Sequence, residues 1–325
     1  MNTDVNNNMT VNSVNTKTAD IDAGERDAKI ARRARRTDWI FGIVGVVILI
    51  ISMGLLVALL MDLITTGAGR INYDFLTSYP SRRAESAGIL SSWVGTTLVM
   101  FVTATLSVPL GVMAGIYLEE YAPKNWITTI IDINISNLAG VPSIIYGLLA
   151  LGLFVYMFGM GSTVLVAGMV LALLILPVVI VSTREAVRSI PLIIKEGAFG
   201  IGADKWQTVS TFILPAARPG ILTGAIVGLS RAVGETAPVI TIGALTYIAF
   251  LPNSPFQADF PFINFDWLNS AFTVMPIQMF NWLSRPQTEF HINAAATGLV
   301  LIVMTLLMNL IAIIIRYRLR KHSIV

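Results

Sequence analysis

Residues 39–61 read WIFGIVGVVILIISMGLLVALLM, from Trp39 to Met61, without a single charged side chain. A helix needs about 20 apolar residues to cross the hydrocarbon core of a bilayer. The run exceeds the roughly 7–15 residues of a signal-peptide core, and no small-x-small cleavage site closes it. It predicts an uncleaved transmembrane helix. Working outward, the same criterion finds five more runs: Trp93–Leu118, Leu138–Phe158, Ser162–Thr183, Gly220–Leu245 and Ala294–Ile315. The chain is therefore predicted to be an all-α integral membrane protein with six transmembrane helices and a membrane domain over 39–318.

Composition agrees with that class. Of 325 residues, 55% are hydrophobic and 13% charged, about half the charge of a soluble domain. The net charge of +3 does not point to nucleic acid, because the basic residues sit in short segments flanking the apolar runs. Cysteine is absent, and His291 and His322 have no partner at ligand spacing. No metal site or other cofactor is expected. Residues 1–38 are rich in Asn, Thr and Asp and carry the basic cluster Arg32, Arg33, Arg35 and Arg36. They predict a disordered tail, and 319–325 form a short second tail.

Basic residues also set an orientation. With the N-terminus inside, the segments 1–38, 119–137, 184–219 and 316–325 hold 7, 1, 5 and 4 Lys or Arg, 17 of the 22 in the chain. The outer segments hold Arg70, Arg82, Arg83 and Arg285, and Arg231 lies within a run. The positive-inside rule then predicts both termini in the cytoplasm.

Two connecting segments are long. The inner one, 184–219, reads as helical, with Ser189 as N-cap, Pro191 just inside, and a second amphipathic stretch from Asp204 to Phe212 that runs to Pro215. The outer one, 246–293, carries Phe256, Phe260, Phe262, Trp267, Phe280 and Trp282. It is expected to form an interfacial aromatic belt, a landing surface for an external protein, or both. Breakers such as Gly140-Val-Pro142 and Leu176-Pro177 fit either pathway-lining backbone or ordinary kinks.

One charged pair lies inside a run. Arg231 and Glu235 are four residues apart, so they share a helix face and can pair. Gly220, Gly224 and Gly228 fall on the same face, a small-residue stripe that admits a neighbouring helix and should turn the pair into the bundle. Intramembrane charges mark ion or substrate pathways, and the guanidinium suits an oxyanion; a structural ion pair fits the same spacing. No Gly-x4-Gly-Lys-Ser/Thr loop exists, and no nucleophile–base set accompanies the pair, so neither ATP hydrolysis nor other catalysis is expected of this chain.

Glu196-Gly197-Ala198, followed after three residues by Gly202 and after nine more by Phe212-Ile213-Leu214-Pro215, resembles the signature loop of bacterial binding-protein-dependent ABC importer permeases. Gly197 stands where Ala is usual and Phe212 where Ile is usual. Five further stretches are similar to the phosphate-importer (PstA) branch of that family: Gly140–Gly147, Gly202–Thr208, Leu214–Ile221, Arg231–Pro238 and Phe280–Pro286. The similarity covers about residues 39–320. It implies a type I ABC importer permease (MetI-like) fold in a bacterial inner membrane, with no ATPase of its own. The implied partners are a homologous PstC-like permease, a PstB-like ATP-binding subunit dimer, an external PstS-like phosphate-binding protein, membrane lipid and inorganic phosphate. Arg231 and Glu235 would be pathway residues. Glu196, Gly197, Ala198, Gly202, Leu214 and Pro215 would contact the ATPase. Permeases for other oxyanions such as sulfate or molybdate share the loop and stay open on it.

Overall fold

A computed structural model describes residues 38–245, 247–256 and 262–321. Residues 1–37 of the expected N-terminal tail, Phe260 of the aromatic segment and His322 lie outside them. The chain divides into two units, one ending at Asp62 and one beginning at Leu63. The first contributes most of helix α1, Asp38–Arg70, which is apolar on every face over 39–61, as a lipid-facing helix requires.

The unit from Leu63 is a helical bundle. In chain order it holds α2 (Tyr73–Thr77), α3 (Leu90–Tyr121), α4 (Trp126–Leu138), α5 (Ser143–Met157), α6 (Val164–Arg188), α7 (Leu192–Gly200), α8 (Lys205–Gly234), α9 (Ala237–Thr241), α10 (Met275–Leu283) and α11 (Thr288–Lys321). Among the described residues the only extended pairing is a single bridge between Phe256 and Ile263. Among the described residues five helices are long and apolar enough to cross a membrane, or six when the bent pair α4–α5 is taken as one span. Side-chain oxygens cap several starts: Asn72 accepts from the Phe75 amide, Asn125 from that of Thr128 and Thr163 from that of Val166.

Helix α6 is the hub. Two-thirds of its most apolar window is buried, against about a tenth of that of α11. Lipid tails are as apolar as leucine, so helices in a membrane gain by close van der Waals approach rather than by leaving water. Small residues permit that approach. A Cβ on Gly111 of α3 would fall 2.6 Å from a Val179 methyl of α6, and one on Gly115 would fall 2.7 Å from Thr183. On the other flank, Gly220 and Gly224 of α8 press against Ala186 and Ser182. The glycine stripe read from the sequence therefore does seat a helix, and that helix is α6. Around the seam lie Val99, Val102, Val166, Val170, Ile175 and Val233, all buried.

The third expected span differs from a straight helix. Helices α4 and α5 meet at a 104° bend, so the run 138–158 is divided between them. Pro142 lacks an amide proton and disfavours helical backbone in the residue before it, and here it occupies the N-cap of α5. The Tyr146 hydroxyl donates across the break to the Leu138 carbonyl at 2.9 Å, which also accepts from the Val141 amide, so the bend keeps this backbone group bonded.

Helix α8 also departs from expectation. The sequence placed a boundary near Gly220, yet the helix is continuous from Lys205 through Pro215 and Pro219 to Gly234. A helical proline clashes with the carbonyl four residues back. For Pro215 that is Thr211, which lies in a widened π-helical stretch over Thr208–Ile213. Ser189 does not start α7. Its hydroxyl donates to the Ala186 carbonyl and closes α6, and Pro191 takes the N-cap of α7.

The segment 246–293 is more folded than an interfacial belt. Trp282 and Trp267 are buried; Trp282 stacks near Phe75 and Phe290, and Met275 takes a bond from its amide to the Thr96 hydroxyl of α3. Phe256, Phe262 and Phe280 remain exposed. Arg70 fastens this end: its guanidinium donates to Asn293 and to the Ala84, Glu85 and Ala87 carbonyls and lies over the Phe75 ring. The α6 N-terminus is at this same end, where the Val164 amide donates to the Ser270 carbonyl, and α7 is at the other.

The α6–α8 seam yields a direct test. Gly224→Val should cost about 1–3 kcal/mol through overpacking against Ser182, read as a lower melting temperature of the purified protein in detergent. An unchanged melt would show that the seam tolerates widening.

Candidate functional site

Two regions gather the residues singled out in the sequence, one at each end of α8. The first is the hairpin of α7 and the start of α8. Helix α7 closes on a Schellman turn: the Gly202 amide donates to the Phe199 carbonyl, the Ala203 amide to that of Ala198, and Gly202 has φ +86°. That left-handed conformation costs a side-chain-bearing residue about 1–2 kcal/mol, which explains glycine there without appeal to space. Asp204 then opens α8 in a reciprocal capping box with Gln207. A small core of Val187, Ile190, Val209, Ile213, Ala217 and Ile221 ties the hairpin to the end of α6.

Within this frame Ala198 faces inward and is buried, Leu214 and Pro215 are half-buried, and Glu196, Gly197 and Gly202 are exposed. A Cβ on Gly197 or Gly202 would meet nothing within 4 Å. The site residues named from the sequence did not include the apolar side chains displayed around them. Ile193 and Ile201 are about three-quarters exposed, and Leu192, Phe199 and Trp206 are exposed as well. The available signal was the number of large apolar residues in a segment outside every spanning run.

The second region is the other end of α8. The helix stops at Gly234 because Glu235 turns to extended backbone (ψ 122°) and serves as C-cap. Glu235 thus stands just outside the helix that carries Arg231, but the pair still forms, with Arg231 Nε donating to Glu235 Oε1 at 3.2 Å. The expectation that both groups point into the bundle needs correction. The Glu235 side chain is 17% exposed and lines a small pocket together with Thr96, Val99 and Met100 of α3, whereas Arg231 is 45% exposed on the outer surface of this chain. The stripe turns Gly220 and Gly224 toward α6; further along, Ala232 and Val233 carry the buried face, clustered with Leu171 and Ile175 of α6, and Arg231 lies outside it. Among the described residues Glu235 is the one partner Arg231 has, so its two terminal nitrogens are open. Thr96 lies six residues into α3, about 9 Å along its axis, and accepts from the Met275 amide, so the pocket that holds Glu235 lies at the level where α10 begins. Short α9 continues from the break and lies against α5, where Gly147 packs on Pro238 and Thr241. Two interrupted helices are therefore neighbours beside the charged pair, an arrangement tolerated at membrane depth when protein or a cavity satisfies the backbone.

Known proteins match this architecture. Residues 107–323 match the family described as "Binding-protein-dependent transport system inner membrane component". A probable ABC transporter permease protein, YqgI of Bacillus subtilis, is 34% identical over 68% of this chain and 75% of its own length. The phosphate transport system permease protein PstA of Yersinia pestis is 30% identical over 82% of this chain and 85% of its own; PstA 1 of Mycobacterium tuberculosis is 29% identical over 71% of each. Among solved structures, a chain of the MetNI methionine ABC transporter in an inward-facing conformation superposes with a TM-score of 0.53 at 18% identity, covering 70% of this chain and 94% of its own, a likeness of fold. This chain, a multi-pass protein of the bacterial inner membrane, belongs to the family of binding-protein-dependent transport system inner membrane components.

Proposed function

We propose that this chain is one permease subunit of an ATP-driven phosphate importer, forming half of the translocation pathway and coupling to a separate ATPase subunit. The observation that carries the anion reading is Arg231. Its guanidinium is exposed at the surface of a single chain, held by one carboxylate, with its terminal nitrogens open. A second, homologous permease facing this surface would turn an exposed cation into a pathway cation. Guanidinium offers parallel donors that match two phosphate oxygens, and Glu235 keeps the charge compensated when no anion is present. An anion held against a half-neutralised arginine can also leave. The similarity to phosphate permeases over most of the chain favours phosphate among oxyanions.

The α7–α8 hairpin supports the motor side of the reading. Ile193, Phe199, Ile201 and Trp206 form an exposed apolar knob on a capped, rigid turn, the form a helix takes when it enters a groove on a partner. The partner is an ATP-binding subunit dimer, which places α7 and both chain termini in the cytoplasm, in accord with the distribution of basic residues. An extracytoplasmic phosphate-binding protein would then deliver the anion at the α10 end. Closure of the ATPase dimer moves the hairpin, and alternating access follows as α8 shifts against α6.

The test is ATP-dependent uptake of labelled phosphate, against sulfate, in vesicles containing all partner subunits. Arg231→Gln should lower phosphate uptake by about 10–100-fold, the worth of one or two charge-assisted hydrogen bonds, with assembly intact. Unchanged uptake would demote the pair to a packing role, and preferential sulfate uptake by the unaltered complex would replace the substrate. Gly202→Val should leave the protein inserted but abolish uptake and co-purification of the ATPase, since valine cannot hold the turn. Normal transport by that variant would remove the hairpin from the coupling surface.

A further inference from the structure

The last turns of α3 adopt a π-helical form over Tyr117–Tyr121, and within them stand two consecutive acids, Glu119 and Glu120. Consecutive side chains on a helix point in different directions, and the two carboxylates reach different elements. Glu119 receives both Arg188 Nε at 3.1 Å and Arg188 Nη2 at 3.0 Å, and Arg184 Nε at 3.4 Å, all from the end of α6. Arg184 also forks onto Asp132 of α4, with bonds of 2.8 and 3.1 Å. Glu120 turns the other way and pairs with Lys195, which lies on α7. That last pair is well shielded: Glu120 is 10% exposed and Lys195 19%.

We infer that Glu120 and Lys195 form a second mechanical link between the coupling hairpin and the bundle, positioning α7 and passing its displacement to α3 independently of the covalent path through α8. This rests on the proposed reading of α7 as the ATPase contact. The geometry favours a strap over a surface decoration. Each charge is mostly withdrawn from water, so separating them leaves an uncompensated buried ion, and the contact resists being pulled apart. Behind Glu120, the neighbouring Glu119 is anchored to Arg184 and Arg188, so α3, α4 and α6 are gripped together at the point of pull. Helix α3 in turn carries Thr96, Val99 and Met100, which line the same small pocket as Glu235. A motion of α7 thus reaches the charged pair by two routes, along α8 to Arg231 and along α3 to the surroundings of Glu235. Lys195 and Glu120 are positioning residues and touch no substrate.

The experiment uses the complete transporter in vesicles, with phosphate-loaded binding protein, and reads phosphate taken up per ATP hydrolysed. Lys195→Glu and Glu120→Lys should each lower that yield about tenfold while ATP hydrolysis continues, and the two together should restore most of it, as coupled charges do in a double-mutant cycle. A double variant no better than the worse single one, or single variants with full yield, would overturn the strap. Should the reversals fail to insert, Glu120→Cys with Lys195→Cys in this cysteine-free chain serves instead. A short bis-maleimide bridge should then raise the yield above that of the unbridged pair, and an equal yield counts against the strap. Loss of phosphate transport by the unaltered complex, or an α7 that crosslinks to no ATPase, would sink the underlying reading; normal transport with indifferent charge swaps would sink the strap alone.

Discussion

The fit of α6 between α3 and α8 sets the terms for everything else in the bundle. Inside a bilayer there is no water to escape from, so the only gain from bringing helices together is contact, and contact requires small residues at the crossing points. Gly111 and Gly115 on one side and Gly220 and Gly224 on the other supply them. Because that seam consumes one face of α8, the faces further along are committed too. Arg231 emerges on the exposed side of α8 while Ala232 and Val233 beside it stay buried with Ile175 of α6, and Glu235 lines a small pocket together with Thr96, Val99 and Met100 of α3.

Much of this was legible before any coordinates. Long uncharged runs such as 39–61 can have one physical meaning, and the spacing of Glu196, Gly202 and Pro215 marked a compact helical turn whose glycine does hold a left-handed conformation. The illegible parts share a cause, which is that their form is decided by partners distant in sequence. Pro215 looked like a terminator, and only the π stretch ahead of it lets α8 run through. Pro142 looked like a kink, and the 104° bend became tolerable because Tyr146 reaches back to Leu138. Trp282 looked interfacial, and it is buried because Phe75 and Phe290 lie beside it.

The direction of Arg231 was misjudged for a related reason. A helical wheel says which residues share a face, but not how the line of contact drifts as two helices cross. The stripe packs through Gly228 against Ile175 and Val179; beyond it Ala232 and Val233 carry the buried face, and Arg231 is left outside it. In the single chain Arg231 stays exposed, with Glu235 as its ion-pair partner.

The unbroken course of α8 has a mechanical consequence. Thirty residues in one helix span about 45 Å, so a tilt of about 5° at the hairpin sweeps the far tip through roughly 4 Å, more than a hydrogen-bond length. Leverage alone would shift Arg231 relative to whatever it faces.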